Sequence, residues 1–477
     1  MNQKVILKEK TIKWMLFCVI FFVSFLFGEK LGVVNYPYDA EYYWTTADSV
    51  FANGFDISAF PETFRGYVLP TTISLFKFVF GGVRGWRVLS SVCLAVCFSF
   101  SLPYLITGRG ITKIAECIRV LLAYAVFLWI WGDFMQYPLS DFPAALCAFS
   151  GAAILRTIDL NSKSLKTLIK GVFAGVLLYA AYNTRAAYLY GVVFIIGLFV
   201  FLNRKNIKQL LLVLIALVIG VFIIAIPQCM INKQYVGVFS PKVYTEQLYG
   251  YSHDLQALQV YWGLIYPRYE TYEGSTEQYP LIRVWFDDEI GNEIIRKEQL
   301  SIDNFSLKSV FKLILKYPMD MIGLYMRHMI SLLTPAYREI YITNMYTDKG
   351  ILASISILIW IVSGIGIMEL FDRKSLCNVF WIFAVSVPAL LQLFGAPELR
   401  FFIPLYLISY YYVFVEINYK ELFLKLEGRR IKMALGIAII YLLWITIFGN
   451  ILEANSERTL IIHDFYEYQT QIETQGD

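Results

Sequence analysis

Two carboxylates, Asp39 and Glu41, lie a few residues after an apolar run, Ile12 to Phe27, that is just long enough to cross a bilayer. The segment around them, Asn35 to Pro70, combines acidic, aromatic and basic side chains. It contains Tyr36, Tyr38, Tyr42, Tyr43, Asp48, Asp56, Glu62 and Arg65. A carboxylate held at a membrane surface can accept the proton of a hydroxyl group. Asp39 and Glu41 are therefore the candidate catalytic residues, and the alternative is that they are solvated loop charges.

The composition identifies the elements that must position these carboxylates. The chain of 477 residues is 58% hydrophobic and only 16% charged, whereas soluble proteins contain about a quarter charged residues. We therefore expect an all-α polytopic membrane protein. The formal charge of +4, from 41 basic and 37 acidic residues, is too small to indicate a nucleic-acid partner. The seven cysteines have no metal-type spacing and are interpreted as small core residues.

Hydrophobic runs predict about eleven transmembrane helices. Residues 1–230 form an N-terminal transmembrane module whose first external loop is 29–66, and 231–350 form an extracytoplasmic loop with an interfacial helix. Residues 351–451 contain the C-terminal helices, and 452–477 form an external tail. The predicted spans are 12–27, 87–106, 114–131, 140–156, 168–182, 186–203, 208–229, 351–370, 377–395, 401–417 and 432–450.

Two further segments are predicted to be interfacial. Tyr67 to Phe80 is short for a span and contains Lys77. Leu307 to Pro335 is long enough to cross but contains five ionisable residues. If this segment does not span, the basic clusters gather on one side, as the positive-inside rule requires. We therefore predict a cytoplasmic N-terminus and an extracytoplasmic site in the cytoplasmic membrane.

This topology leaves several arginines at external span ends, where cations are disfavoured. They are Arg65, Arg84, Arg87, Arg185 and Arg400. A negatively charged partner such as a lipid phosphate would explain them. Interfacial snorkelling is the alternative for Arg185 and Arg400. Asp141 opens a span after Pro138, where a helix cap is the alternative to a role in binding.

The order of these features resembles the GT-C superfamily of integral-membrane glycosyltransferases. A first span, an external acidic motif and a short helix ending at Phe80–Gly82 are arranged similarly. Its members that use polyprenyl-phosphate sugars, such as the aminoarabinose and protein mannosyl transferases, are the most similar kind. The motifs that carry the resemblance are YDAEYY at Tyr38–Tyr43, YPLSDFPAAL at Tyr137–Leu146 and GAPELRFFIPLY at Gly395–Tyr406.

The resemblance implies transfer of a sugar from a lipid-linked donor to a glycan, lipid or protein of the cell envelope. Asp39, or Glu41 in its place, would be the catalytic base. The family often has adjacent acidic residues here, whereas Ala40 separates the two in this chain. A divalent metal is possible, and membrane lipid is an expected partner. The implied substrate-binding residues are Arg65, Asp141, Arg185, Glu398 and Arg400.

Two other functions compete with this one. A flippase or other transporter would place ionisable groups or broken helices near the bilayer midplane, whereas here the acidic groups collect in loops. An O-antigen-type polymerase or ligase would share the lipid-linked substrate and differ in the size of the donor.

Overall fold

The structure is a computed structural model. It describes residues 3–32, 36–54, 56, 60, 65–162, 164–244, 255–272, 282–286, 288–335, 338–342, 350–372, 376–419, 436–444, 447 and 461–463. Two compact units are present. Unit 1 comprises Met1–Tyr251, Ser363–Pro388 and Ile403–Ile417, and unit 2 comprises Ser252–Val362, Ala389–Phe402 and Asn418–Asp477.

Helices account for most of the described residues. Those before residue 236 are α1 (Gln3–Leu31), α2 (Tyr38–Ala52), α3 (Val68–Phe80), α4 (Gly82–Val96), α5 (Leu102–Thr107), α6 (Ile114–Trp131), α7 (Asp141–Arg156), α8 (Leu165–Thr184), α9 (Tyr188–Asn203) and α10 (Ile207–Tyr235). A π-helical turn, Cys97–Ser101, joins α4 to α5, and a 3-10 turn, Asp133–Gln136, precedes α7.

Later in the chain, helices alternate with short strands. The helices are α11 (Leu255–Ile265), α12 (Glu289–Glu298), α13 (Leu307–Lys316), α14 (Pro318–Leu333), α15 (Gly350–Asp372), α16 (Leu376–Leu391) and α17 (Ile403–Tyr411). The strands are β1 (Arg268–Tyr272), β2 (Ile282–Phe286), β3 (Tyr341–Ile342) and β4 (Ile461–His463). The shorter turns are Ile302–Asn304, Gln392–Phe394, Leu399–Phe402 and the π-helical Tyr412–Glu416.

Seven helices of the described residues are long and apolar enough to cross a membrane. They are Lys10–Leu31, Gly82–Thr107, Ile114–Trp131, Leu165–Thr184, Ile207–Tyr235, Cys377–Phe394 and Leu399–Glu416. Three shorter apolar helices accompany them: Val68–Phe80, Tyr188–Asn203 and Ile351–Gly366. The prediction of a helical, polytopic membrane protein is confirmed. The number of about eleven spans and the topology stay predictions.

Helices α8 and α10 of unit 1 pack with unusually close backbones. A Cβ atom at Gly175 would overlap the Leu217 carbonyl oxygen, and one at Gly220 would overlap that of Val172. Gly171 and Gly175 form a GxxxG spacing on α8. Small residues at this spacing allow membrane helices to approach and gain van der Waals contact. This packing brings the polar ends of α8 and α10 together.

Unit 2 contains a four-stranded sheet with the order β3-β1-β2-β4. Strand β1 is antiparallel to β2 and parallel to β3, and β4 is antiparallel to β2. An apolar core lies between its helices and includes Leu264, Ile294, Leu313, Met321 and Leu324. The sheet is an addition to the predicted all-α fold, and it lies in the polar part of the sequence.

The segment predicted to be interfacial, Leu307 to Pro335, forms two helices rather than one. Helix α13 ends at Lys316 and α14 begins at Pro318. Proline has no N–H to donate and suits the first turn of a helix, so it breaks the run here. Neither helix meets the length and hydropathy of a membrane span. Whether the segment is interfacial or re-entrant stays a prediction.

The predicted division into 1–230, 231–350, 351–451 and 452–477 also stays a prediction. Most of the predicted tail lies outside the described residues, as do Glu62 and the basic residues 420–432. Of the tail, residues 461–463 form β4.

Candidate functional site

The first turn of α2 carries both predicted catalytic carboxylates, but only Asp39 is held by a cation. The Arg65 Nη2 donates to Asp39 Oδ1 at 2.5 Å. Residues two positions apart point to different sides of a helix. Glu41 is accordingly exposed and forms no ion pair with another described residue.

Tyrosines complete the surroundings of Arg65. The Arg65 Nη1 donates to the Tyr43 hydroxyl at 3.1 Å, and its guanidinium carbon lies 5.2 Å from the Tyr42 ring centre and 5.0 Å from that of Tyr43. Tyr43 lies four residues after Asp39 and so shares its helix face. The three groups Asp39, Arg65 and Tyr43 are named the α2 triad below.

The protonation states of Arg65 and of its neighbour Tyr42 follow from these contacts. Burial alone would lower the pKa of Arg65, but the Asp39 carboxylate and the Tyr43 hydroxyl raise it above its ordinary value. Burial raises the pKa of the neighbouring Tyr42 to about 12, although Arg65 opposes that rise. Arg65 is therefore a permanent cation, and Tyr42 keeps its hydroxyl proton at neutral pH.

A second carboxylate–guanidinium pair joins α7 to α8. Asp141 is the first residue of α7, and Arg185 follows the last residue of α8. Their side chains form an ion pair in which Asp141 is only 3% exposed. A carboxylate at a helix N-terminus and a cation at a helix C-terminus both complement the helix dipoles. Ser140, not Asp141, is the N-cap residue of α7, and no side chain makes a cap hydrogen bond there, so the capping alternative is wrong and the helix dipole acts together with the ion pair at Asp141.

The chain after Arg65 lies directly against the end of α8. A Cβ atom at Gly66 would overlap the Asn183 carbonyl oxygen, and the Val68 N–H donates to Asn183 Oδ1 at 2.9 Å. Asn183 is two residues before Arg185. The fold thus places the segment that carries Arg65 against the turn that carries Arg185.

An apolar cavity lies beside the Asp141–Arg185 pair. Its free volume is about 10 Å³, enough for about one water molecule, and it is lined by residues of α4, the 3-10 turn and the start of α7. These are Trp86, Ser90, Cys93, Phe134, Met135, Tyr137, Leu139, Phe142 and Pro143. Leu139 and Phe142, which line the cavity, lie on either side of Asp141 in the sequence. The charged pair therefore has an apolar cavity next to it.

The predicted residues Glu398 and Arg400 form a third pair, in unit 2. Their side chains meet at 2.5 Å and are each 14% exposed. The segment before them is fixed by α11 and α14. The Ala396 N–H donates to the Gln259 carbonyl at 2.9 Å, and His328 Nδ1 donates to the Leu393 carbonyl at 2.7 Å.

Two other arginines predicted to need an anion meet a carboxylate at the end of α1. Arg87 lies 2.9 Å from Glu29 and also donates to the Gly32 carbonyl. Arg84 lies 3.9 Å from the same carboxylate and is 66% exposed. Arg87 is therefore anchored, whereas Arg84 lies in a surface contact of little energy.

Sequence reasoning missed two groups of functional interest. The sequence does not distinguish Tyr43 from the other aromatic residues nearby, except by its spacing of four from Asp39, which places the two on one helix face. The buried amides Asn183, Gln228 and Asn232 were also missed. Polar side chains within apolar runs often indicate a functional role, so this signal was present in the sequence.

Among the described residues, no three His, Cys, Asp or Glu side chains are grouped so as to hold a metal ion. Comparison with protein-family models, with curated proteins and with solved structures finds no match to this chain. The likeness to GT-C glycosyltransferases therefore rests on its own sequence motifs.

Proposed function

We propose that the chain is a membrane glycosyltransferase that moves a sugar from a polyprenyl-phosphate donor to a cell-envelope acceptor. The observation that carries the proposal is the α2 triad. It places a carboxylate, a permanently charged guanidinium and a phenol together immediately after the first apolar helix. A base for a hydroxyl and a cation for a phosphate are the two groups that this reaction needs.

In the proposed reaction, the Asp39 carboxylate accepts the proton of the acceptor hydroxyl. The hydroxyl oxygen forms a bond to the anomeric carbon of the sugar. The bond from that carbon to the phosphate oxygen breaks, and its electron pair leaves with the polyprenyl phosphate. A guanidinium stabilises the charge that develops on the leaving oxygen, because its paired N–H groups match phosphate geometry.

The ion pair at Asp39 implies an exchange of partners. A carboxylate that is bound to a guanidinium is a poorer proton acceptor than a free one. A donor phosphate would compete with Asp39 for Arg65 and so free the carboxylate when substrate is present. Arg185 is the second candidate for the phosphate.

The charge distribution supports the proposed side of the membrane, and strand pairing is consistent with the proposed number of crossings. Basic residues at the ends of the short loops favour a cytoplasmic N-terminus, which puts the turn after α1 outside. Strand β4 pairs with β2, so the two strands lie on one side of the membrane. Four apolar segments separate them if α13 and α14 do not cross, and an even number of crossings is what the pairing requires.

Incubation of the purified protein with a panel of polyprenyl-phosphate sugars tests the proposal. Consumption of one donor, with release of polyprenyl phosphate, is the expected result. If every donor stays intact while a lipid-linked glycan crosses the bilayer of proteoliposomes, the chain is a flippase and the proposal is wrong.

A further inference from the structure

Three buried amides connect the segment that carries Arg65 to the far end of α10. The Asn183 Nδ2 donates to Gln228 Oε1 at 2.7 Å, and the Gln228 Nε2 donates to Asn232 Oδ1 at 3.0 Å. The Asn232 Nδ2 then donates to the Ser240 and Lys242 carbonyls, each at 2.6 Å. We name Asn183, Gln228 and Asn232 the amide chain. Each of its side chains is at most 1% exposed.

Backbone groups at both ends fix the direction of the amide chain. At one end, the Val68 N–H can only donate, so it requires the oxygen of Asn183. At the other end, the Ser240 and Lys242 carbonyls can only accept, so they require the nitrogen of Asn232. If any one amide group rotated by about 180°, two hydrogen-bond acceptors or two donors would face each other. The chain therefore has one satisfied arrangement.

Two further contacts tie the same segment to α8 and α10. The Tyr67 hydroxyl donates to the Ile224 carbonyl at 2.7 Å. Gly66 admits no Cβ atom against the Asn183 carbonyl oxygen. Residues 66, 67 and 68 are thus each fixed, and Arg65 is the residue immediately before them.

We propose that Asn183, Gln228 and Asn232 are positioning residues that hold Arg65 in place for the α2 triad. Packing alone does not call for three amides here, since apolar residues of similar size would pack without burying polar groups. A chain of hydrogen bonds with one fixed direction instead holds the segment at its end, residues 66–68, in a single position. The effect of these residues on turnover rests on the proposed function. The structural coupling between Gln228 and residues 65–68 does not depend on it and is tested separately.

Hydrogen–deuterium exchange measures that coupling without any substrate. Gln228→Leu removes both bonds of the central amide, and Gln228 itself makes no hydrogen bond to the described residues 65–68. We expect the Val68 amide to exchange about tenfold faster in this variant. The matched control is Ser150→Ala, which removes the Ser101–Ser150 hydroxyl bond of 2.7 Å elsewhere in unit 1. Unchanged exchange at Val68 in Gln228→Leu, or an equal change in Ser150→Ala, would overturn the proposal.

Turnover supplies the second measurement, with Gln228→Glu as the conservative variant. A protonated glutamic acid can accept from Asn183 and donate to Asn232, whereas an ionised one cannot donate. Turnover of Gln228→Glu, relative to the wild type, should therefore decline as pH rises. Gln228→Leu should be about 10- to 100-fold slower at every pH, with a higher KM for the donor because Arg65 is the proposed phosphate ligand.

The two measurements separate the possible failures. If Val68 exchange responds to Gln228→Leu but the wild type consumes no donor, the proposed function is wrong and the positioning of residues 65–68 stands. If the wild type is active and both Gln228 variants match it at every pH, the amide chain has no role in positioning Arg65.

Discussion

At the residue scale, Arg65 has surroundings unlike those of a loop cation. It is bound by a carboxylate and a phenol and flanked by two aromatic rings. Arg84, by contrast, is 66% exposed and lies 3.9 Å from its nearest carboxylate. Arg84 is therefore a suitable control for substitutions of Arg65. Both residues follow α1, but only Arg65 belongs to the candidate site.

We predict that Arg65→Lys weakens binding of polyprenyl phosphate about tenfold, because an ammonium keeps the charge but not the planar fork that reaches two partners at once. Binding is measured with the purified protein in detergent. Arg84→Lys is the control and should bind as the wild type does. Equal affinity in the two variants would remove Arg65 from the phosphate site.

The candidate site residues could be predicted from the sequence. The partner of each residue could not. Six of the seven predicted site residues fall into three pairs, Asp39–Arg65, Asp141–Arg185 and Glu398–Arg400. The members of the first two pairs are far apart in sequence, so only the packing of helices could show which carboxylate meets which arginine. The different surroundings of Asp39 and Glu41 depend on the helical phase of α2, which the loop-like composition of that segment conceals.

At the element scale, α14 is held by charges and by a neutral histidine. Asp288 accepts from the Gly291 N–H at the start of α12, and its two oxygens accept from Arg327 at 2.6 and 2.9 Å. His328, the next residue, is fully buried and donates from Nδ1 to the Leu393 carbonyl. The apolar face of α14 could be predicted from periodicity. The break at Pro318 has a local signal in the proline itself, whereas the partner of His328 could not be predicted because Leu393 lies in a distant segment.

We predict that unit 2 loses stability in mild acid through His328. Burial lowers the pKa of His328 from 6.5 to about 4, so the unfolded chain binds a proton in this interval that the folded chain excludes. The stability is complete above pH 6.5 and declines as pH decreases toward about 4, by about 3 kcal/mol. His328→Gln keeps a donor for the Leu393 carbonyl but does not titrate.

Thermal unfolding of the full chain at pH 7 and pH 5 checks this prediction. The decrease in unfolding temperature between the two pH values should be smaller in His328→Gln than in the wild type. Tyr325→Phe alters a neighbouring ring and adds no titrating group, so it should keep the wild-type decrease. Identical pH dependence in the wild type and His328→Gln would contradict the assignment of the proton to His328.

At the scale of the whole molecule, the apolar runs located most of the helices. The predicted spans 114–131 and 186–203 correspond closely to α6 and α9. Hydropathy could not predict the small sheet of unit 2, since its strands come from segments separated by several apolar helices. Nor could it predict the π-helical turns at Cys97–Ser101 and Tyr412–Glu416, which arise inside otherwise regular apolar helices.

The predicted topology is tested by cysteine labelling with a membrane-impermeant reagent, in a background without the native cysteines. A cysteine at Asp56 should be labelled from outside intact cells, whereas one at Arg204 should be labelled only after lysis, because the positive-inside rule predicts that the short basic loops lie in the cytoplasm. A cysteine at Lys374 should behave like that at Arg204. Labelling of position 374 from outside would mean that Leu307 to Pro335 crosses the membrane.

The central claim, that Asp39 is the base of a glycosyl transfer, is tested most directly by the turnover of Asp39→Asn on the donor that the wild type consumes. The asparagine keeps the shape of the side chain and removes its basic oxygen, so turnover should decrease about a hundredfold or more in protein that is still folded. Glu41→Gln is the matched control and should be mildly affected. Normal turnover in Asp39→Asn with a large loss in Glu41→Gln would transfer the role to Glu41, and normal turnover in both would contradict the account.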